Sequence, residues 1–475
     1  MHMKKTTSPW TALLIVLTAP LLSVIDVFIV NVAVPSIKKG VHASDGQIQL
    51  VIAGYLLGYA SFLITGGRAG DHFGRKKVFF WGMFSFTLFS CFCGFAQTPF
   101  ELNITRFFQG ISASFMVPQA IAFIQILFTN PKERAKAIGW FGITLGIASI
   151  IGQVLGGYLS EIHTVIDGWR LIFFINLPVG LAALWATHHF LSETEQHESN
   201  VFDYSGIAIL TMALFCLIYP LTQGREAGWP LWSIILLFIS IALFIYFIYD
   251  QRSKLKKGID PLINIELFSH KDFSIGLIAV LFQFMMHTSY LLTSAVFLQN
   301  GLGISSVNAG LYFILPGILF TLSSLMASKL LPGFGKLIPQ TGIVIVIASF
   351  VLQILFFKSN VSGGIIFIVL GIYGMGNGLV LPSLLNLALK DVPHKFAGAA
   401  AGVYSTFQQT ASALGICIIG GIFYHVANTG SAALNYTKAF DYSTGANIIC
   451  LVITGLILLL LPKSNNEVNE THIGE

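Results

Sequence analysis

Apolar residues run through this chain in long blocks, with polar residues gathered between them. A stretch of roughly 18–25 mostly apolar residues is long enough to cross a bilayer as a helix. Fourteen such stretches are present, near 10–34, 48–66, 78–95, 102–128, 138–159, 171–190, 204–221, 231–249, 273–298, 309–330, 337–357, 365–389, 398–424 and 445–461. The pattern predicts an all-α polytopic membrane protein. An even number of crossings places both termini on one side.

Composition agrees. Of 475 residues, 55% are hydrophobic and 10% charged, with mean hydropathy +0.78, whereas soluble domains carry about 25% charged residues. The Lys and Arg positions set orientation. With the N-terminus inside, 19 of the 26 basic residues fall in inner loops and tails, six in outer loops, and Arg106 inside a span. This is the positive-inside pattern, so both termini are expected to be cytoplasmic in a cell (inner) membrane. The acidic inner loop 191–203, with Glu193, Glu195 and Glu198, weighs little in that rule. The net charge of +5 therefore speaks of topology and not of nucleic acid. The apolar run after Lys4 and Lys5 exceeds the 7–15 residues of a signal-peptide core and reads as the first span. Cys91, Cys93, Cys216, Cys417 and Cys450 all lie in apolar spans without a CxxC pair, so neither a disulfide framework nor a metal site is expected.

Two polar linkers, 191–203 and 250–272, divide the chain into 1–190 (six spans), 191–272 (a linker carrying two spans) and 273–475 (six spans and a short tail). The outer parts echo one another. Gln109-Gly110 leads to Pro118 and a loop at Pro131 with Lys132 and Arg134; Gly374, Gly376 and Gly378 lead to Pro382 and a loop at Pro393 with Lys395. Gly/Pro-interrupted spans at matching places in two halves are the sequence mark of secondary transporters.

Asp26 is the residue that least belongs in oil. It sits between Leu21–Ile25 and Val27–Val30, and a charge near the middle of a span costs about 2.5–3.5 kcal/mol on insertion scales. Desolvation disfavours the charged form, which suits a proton or ion site; the alternative is a structural hydrogen bond to a neighbouring helix. Arg106, seven residues after Pro99, lies about 10 Å below the outer face, and Asp26, nine residues before Pro35, about 13 Å below it. An Arg and an Asp at similar depth are expected to pair. A change that loosens the pair would release or admit a proton; the alternative is a permanent structural pair. Other acids, such as Glu101, Glu161, Asp203 and Asp391, fall at span edges. The second half offers no deep carboxylate. Its candidates for lining a cavity are Gln283, His287, Tyr290, Asn377 and Gln408, alongside Asn31, Gln109 and Gln153 in the first half. For His287 a plain interhelical hydrogen bond is the expected role.

The loop Gly67-Arg68-Ala69-Gly70-Asp71-His72-Phe73-Gly74-Arg75-Lys76-Lys77 joins spans two and three. Its glycines permit tight backbone geometry, and Asp71 is placed to pair with a nearby base or cap a helix N-terminus. This loop resembles the signature of the major facilitator superfamily. Ile25-Asp26-Val27-Phe28-Ile29-Val30-Asn31-Val32-Ala33-Val34-Pro35 is similar to the first-helix motif of its fourteen-helix drug:proton antiporter branch. Arg106-Phe107-Phe108-Gln109-Gly110 with Pro118 resembles the fourth-helix motif, and Trp169-Arg170 through Phe173-Phe174-Ile175-Asn176-Leu177-Pro178 is typical of the same branch. There are two departures. His72 stands at a usually arginine-like position, and in Gly152-Gln153-Val154-Leu155-Gly156-Gly157 a glutamine replaces the usual proline.

The resemblance implies two six-helix bundles in a V around a central cavity with two extra helices between them, alternating access, and protons moving inward as amphipathic drug-like compounds move outward. Asp26 and Arg106 would couple the proton. Gly67, Asp71, Gly74, Arg75 and Lys76 would form an inner gate, closing near the helix that starts at Ala397. Gly110, Pro118, Gly152, Gly156, Gly157 and Pro382 would serve packing or hinging. The expected partners are a small-molecule substrate, protons and lipid, with no cofactor and a monomeric chain. A dedicated exporter of one metabolite and a carrier without proton coupling are the alternatives. A membrane enzyme would need a constellation such as HExxH or a nucleotide loop, and a channel a filter-like segment or charge ring; none is present.

Overall fold

A computed structural model describes residues 8–162, 165–193, 202–390, 392–393, 396–429 and 432–461. Glu195 and Glu198, Asp391, Lys395 and most of the C-terminal tail, which figured in the loop assignments above, lie outside the described residues.

Among those residues, fourteen helices have membrane-crossing length and composition: α1 (Pro9–Gly40), α2 (Asp45–Phe73), α3 (Arg75–Phe95), α4 (Pro99–Leu127), α5 (Lys132–Ser160), α6 (Gly168–Phe190), α7 (Tyr204–Gly224), α8 (Leu231–Lys256), α9 (Lys271–Gly301), α10 (Ser306–Phe334), α11 (Leu337–Phe356), α12 (Gly363–Leu389), α13 (Gly398–Ala427) and α14 (Asn435–Leu459). No strand occurs among the described residues. Several helices outrun their oily cores. α1 continues through Pro35 to Gly40, so the outer end taken at Pro35 lies one turn too early. α14 begins well before 445, and Asp441 within it pairs with Lys358 at 2.9 Å. Hydropathy marks the segment in lipid; backbone hydrogen bonding carries the helix further.

Prolines explain three internal breaks. A helical proline lacks an N–H for the carbonyl four residues back and clashes with it. Pro20, Pro178 and Pro316 each follow a break by three residues, at Leu17, Ile175 and Phe313. Pro35, Pro118 and Pro382 sit inside helices that run on.

The chain forms two units, Met1–Ile263 and Asn264–Glu475. In the first, α2 packs along α4, α3 along α4, and α1 along α5. The α7–α8 hairpin belongs to this unit and lies against α2. In the second, α9 packs against α13 and α14, and α12 against α10 and α11. Close crossings recur in both. A Cβ on Gly110 would lie 2.0 Å from Tyr55 O of α2, and one on Gly374 would lie 2.2 Å from Pro316 O of α10. Gly152 would meet Ile25 O of α1 at 2.8 Å, and Gly415 would meet Met285 O of α9 at 2.2 Å. Small residues let the backbones approach, as expected where packing drives association in lipid.

Candidate functional site

Three helices each contribute a pair of residues three or four positions apart, hence on one face, to a buried cluster. Ser23 and Asp26 come from α1, Val51 and Tyr55 from α2, Arg106 and Gln109 from α4. Asp26 is 0% exposed and Arg106 1%. Arg106 Nη1 donates to Asp26 Oδ2 and, at 2.8 Å, to Gln109 Oε1. Its Nε donates to Val51 O at 3.0 Å. The guanidinium carbon lies 4.4 Å from the Tyr55 ring centroid and 5.9 Å from that of Phe173. The Tyr55 hydroxyl is 2.8 Å from Ser23 Oγ.

Asp26 Oδ1 accepts from Gln109 Nε2 at 2.9 Å and faces Asn176 Nδ2 of α6 at 3.5 Å. Asn176 donates to Ser90 Oγ of α3 at 2.9 Å, and Ser90 donates to Phe173 O at 2.8 Å. Cys93 Sγ, one turn from Ser90, lies 3.5 Å from Gln109 Oε1. The carboxylate is thus paired, hydrogen-bonded and enclosed by five helices. This is what makes a buried charge tolerable, since a lone one would cost several kcal/mol.

The expected pairing of Asp26 with Arg106 is present, and Gln109, expected to line a cavity, bonds both of them. The sequence assigns no role to Tyr55, Val51, Ser23, Ser90 or Cys93, and Asn176 enters only as part of a motif. Ser23–Asp26 and Ser90–Cys93 were available as polar pairs at helical spacing in oily spans. The Tyr55 ring and Val51 carbonyl had no such signal.

The second unit has a different seam, built on α9. Gln283 Nε2 donates to Asn377 Oδ1 at 3.1 Å, His287 Nδ1 lies 2.8 Å from Tyr373 Oη, and the Tyr290 hydroxyl donates to Gln353 Oε1 at 2.9 Å. Thr288 bonds Ser412 and Ser289 bonds Asn447, each at 2.9 Å. The interhelical hydrogen bond expected of His287 is present, and among the described residues no carboxylate bonds to it. Asn31 and Gln153 are buried and Gln408 half-buried; neither polar atom of the Asn31 side chain has a partner among the described residues.

The Gly67–Lys77 segment is not a loop. α2 runs to Phe73 and α3 starts at Arg75, leaving Gly74 alone between them at φ +94°, where glycine is favoured. Gly67 is helical, and a Cβ there would meet Pro118 at an ordinary 3.9 Å; the tight neighbours are Gly66, 2.0 Å from Ser114 O, and Gly70, 2.0 Å from Gln119 Oε1. Asp71, in the last turn of α2, pairs with Arg75 at 2.6 Å. The N-terminus of α3 is capped instead by Glu193, whose Oε1 accepts Lys76 N–H at 3.0 Å, while Lys76 Nζ donates to His188 O at 3.0 Å. Gly156 packs on Ile29 of α1, and the Gly157 carbonyl accepts the Ser160 hydroxyl at 3.0 Å.

Among the described residues no group of three or more His, Cys, Asp or Glu is placed to hold a metal. Fourteen helices of membrane-crossing length, enclosing a buried acid–base pair in the first unit, define a polytopic membrane protein. The chain belongs to the Major Facilitator Superfamily, whose family model matches residues 16–416; it is a multi-pass membrane transporter and not an enzyme.

It is similar to the probable actinorhodin transporter of Streptomyces coelicolor (33% identity over 89% of this chain and 74% of that one). The multidrug resistance protein Stp of Mycobacterium tuberculosis is 28% identical over 84% and 73%. The methylenomycin A resistance protein of Bacillus subtilis is 27% identical over 95% and 96%. Among solved structures, the fold matches an inward-facing bacterial homologue of the lysosomal transporter Spinster, with TM-score 0.69 and 17% identity over 96% and 97% of the two chains. It also matches a D-xylose–proton symporter, with TM-score 0.68 and 14% identity over 96% and 98%.

Proposed function

We propose that this protein is a proton-coupled exporter of amphipathic, drug-like compounds working by alternating access, with both termini cytoplasmic. The observation that carries the reading is the fully buried Asp26–Arg106 pair. A carboxylate in this setting is pulled two ways: burial favours the neutral acid, and Arg106 favours the anion. Protonation from the outer side would discharge Asp26 and free Arg106 from it. Arg106 would keep Val51 O, Gln109 Oε1 and the Tyr55 face. Loss of that proton to the inner side would restore the pair, so the site is tied to one proton per cycle. The relatives named for resistance or export support an outward cargo. Asp71 with Arg75 is proposed as the inner latch, with the protein acting as a monomer.

The test is flux in proteoliposomes across a panel of amphipathic cationic and neutral antibiotics, with and without an imposed pH gradient. Gradient-driven accumulation of several compounds, lost in Asp26→Asn, is expected. Accumulation of one compound alone would favour a dedicated metabolite exporter, a reading to which the actinorhodin transporter relative lends weight. Transport indifferent to the gradient would mean a carrier without proton coupling.

A further inference from the structure

A carboxylate only accepts hydrogen bonds, but a carboxylic acid must also donate one. Around Asp26 the side-chain groups in place serve the anion. Arg106 offers only donors. Gln109 gives its amide N–H to Asp26, and its Oε1 already receives Arg106 at 2.8 Å and Cys93 at 3.5 Å. The remaining neighbour is Asn176, 0% exposed, with Nδ2 3.5 Å from Asp26 Oδ1. Among the described residues its Oδ1 has no hydrogen-bond partner. Such a buried, unused acceptor costs about 1–3 kcal/mol, and nothing in the anionic arrangement offsets it.

We infer that Asn176 is the residue that receives the protonated form of Asp26: its side-chain amide presents N–H to the anion and, turned by half a revolution, C=O to the acid. The two ends of a side-chain amide have nearly the same shape, so the turn itself leaves the occupied volume almost unchanged. Ser90 adapts to both states. Its hydroxyl now donates to Phe173 O while accepting from Asn176, and when the amide turns the hydroxyl rotates to donate to the Asn176 C=O in place of Phe173 O. An O–H···O bond of about 2.7–2.8 Å requires Asn176 and Asp26 to close by about 0.7 Å. The backbone permits that, because Asn176 directly follows the α6 break at Ile175 that Pro178 imposes. The proton comes from water and returns to it. The other titratable groups facing the pair are Arg106 of α4, Tyr55 of α2 and Cys93 of α3. Asn176 is thus a positioning residue, and the inference rests on the proton-coupling reading above.

The test is infrared difference spectroscopy of the purified, lipid-reconstituted full chain between high and low pH, with the acid C=O band of Asp26 assigned by its loss in Asp26→Asn. The expected band lies at the lowered frequency of a carboxyl that donates a hydrogen bond. It should shift upward in Asn176→Leu and return in Asn176→Gln, which keeps the carbonyl. In the unmutated protein, 13C-labelled asparagine should add an amide C=O shift to the same difference spectrum, a readout that needs no variant to fold. An Asp26 band unmoved in Asn176→Leu, or no asparagine signal accompanying it, overturns this inference alone. Absence of any Asp26-dependent band removes the coupling reading and the inference with it.

Discussion

Glu226, in the loop between α7 and α8, closes the N-terminus of α2 at Gly46: one carboxylate oxygen accepts Gly46 N–H at 2.8 Å, the other the Ser44 hydroxyl at 2.6 Å. Arg225 beside it donates to Gln49 Oε1 at 3.0 Å. At the opposite end of α2, Arg68 donates to Pro261 O at 3.0 Å, and the Phe73 and Phe202 rings stack with centroids 5.6 Å apart. The helix that lends Val51 and Tyr55 to Arg106 is thereby fastened to the α7–α8 segment at both ends. Removing the Glu226 cap should cost about 0.5–2 kcal/mol. Glu226→Ala should lower the apparent melting temperature of the detergent-solubilised protein, and an unchanged melt would show that the clasp adds nothing.

The Asp26–Arg106 pair should behave asymmetrically. Removing Arg106 alone leaves a buried carboxylate unpaired, a loss of about 3–5 kcal/mol for a fully buried pair, whereas replacing both by apolar residues is often neutral. Arg106→Ala should therefore melt well below the parent, and the Asp26→Leu, Arg106→Met double variant close to it, with no driven transport. Arg106→Lys should also fail to transport, because an ammonium cannot serve Val51 O, Gln109 and Asp26 in the planar guanidinium geometry. Equal melts for Arg106→Ala and the double variant would contradict this.

Asp203 caps α7 at a membrane face. Burial pushes its carboxyl up, but hydrogen bonds from Lys254, Gln251 and the Gly206 and Leu262 amides outweigh that and hold it at about 2, below its ordinary 3.8. A depressed folded value means stability that is present above the unfolded value and lost as pH falls through the folded one. Asp203→Ala should thus melt lower than the parent near neutral pH, by about 1 kcal/mol or more. The gap should narrow as pH drops from about 4 towards 2. A gap independent of pH would show that the charge on Asp203 is not what stabilises the fold.

Glycines that look alike in sequence should separate sharply. Gly110→Ala drives a Cβ into Tyr55 O, a backbone atom, and should destabilise by about 1–3 kcal/mol or more. Gly67→Ala meets only an ordinary contact and should be neutral or stabilising by up to about 1 kcal/mol, the helix-propensity difference. Parallel thermal melts of the two variants decide it.

Much of this could be read from the chain. Fourteen spans were legible because lipid demands continuous apolar length, and the family was legible from motifs at fixed spacing. The pairing of Asp26 with Arg106 was legible because both charges lie too deep to stay unpaired, although the depth counted from Pro35 was short by about one turn. Helix ends were less legible: α1 passes Pro35, and α2 and α3 leave only Gly74 between them, because backbone hydrogen bonding does not stop where hydropathy does. Nor does sequence say that Pro178 breaks its helix while Pro118 does not.

What the sequence by itself determined is which segments live in oil, which side their basic flanks favour, and which charges are too deep to stay alone. These follow from one-dimensional quantities: length, polarity and rise per residue. The tertiary structure alone decided that Tyr55 and Val51 cradle Arg106, that Glu193 and not Asp71 caps α3, and that Asn176 faces Asp26. Each depends on the rotation of one helix about its axis relative to its neighbours. That rotation is set by packing between surfaces far apart in the chain, and no local pattern encodes it.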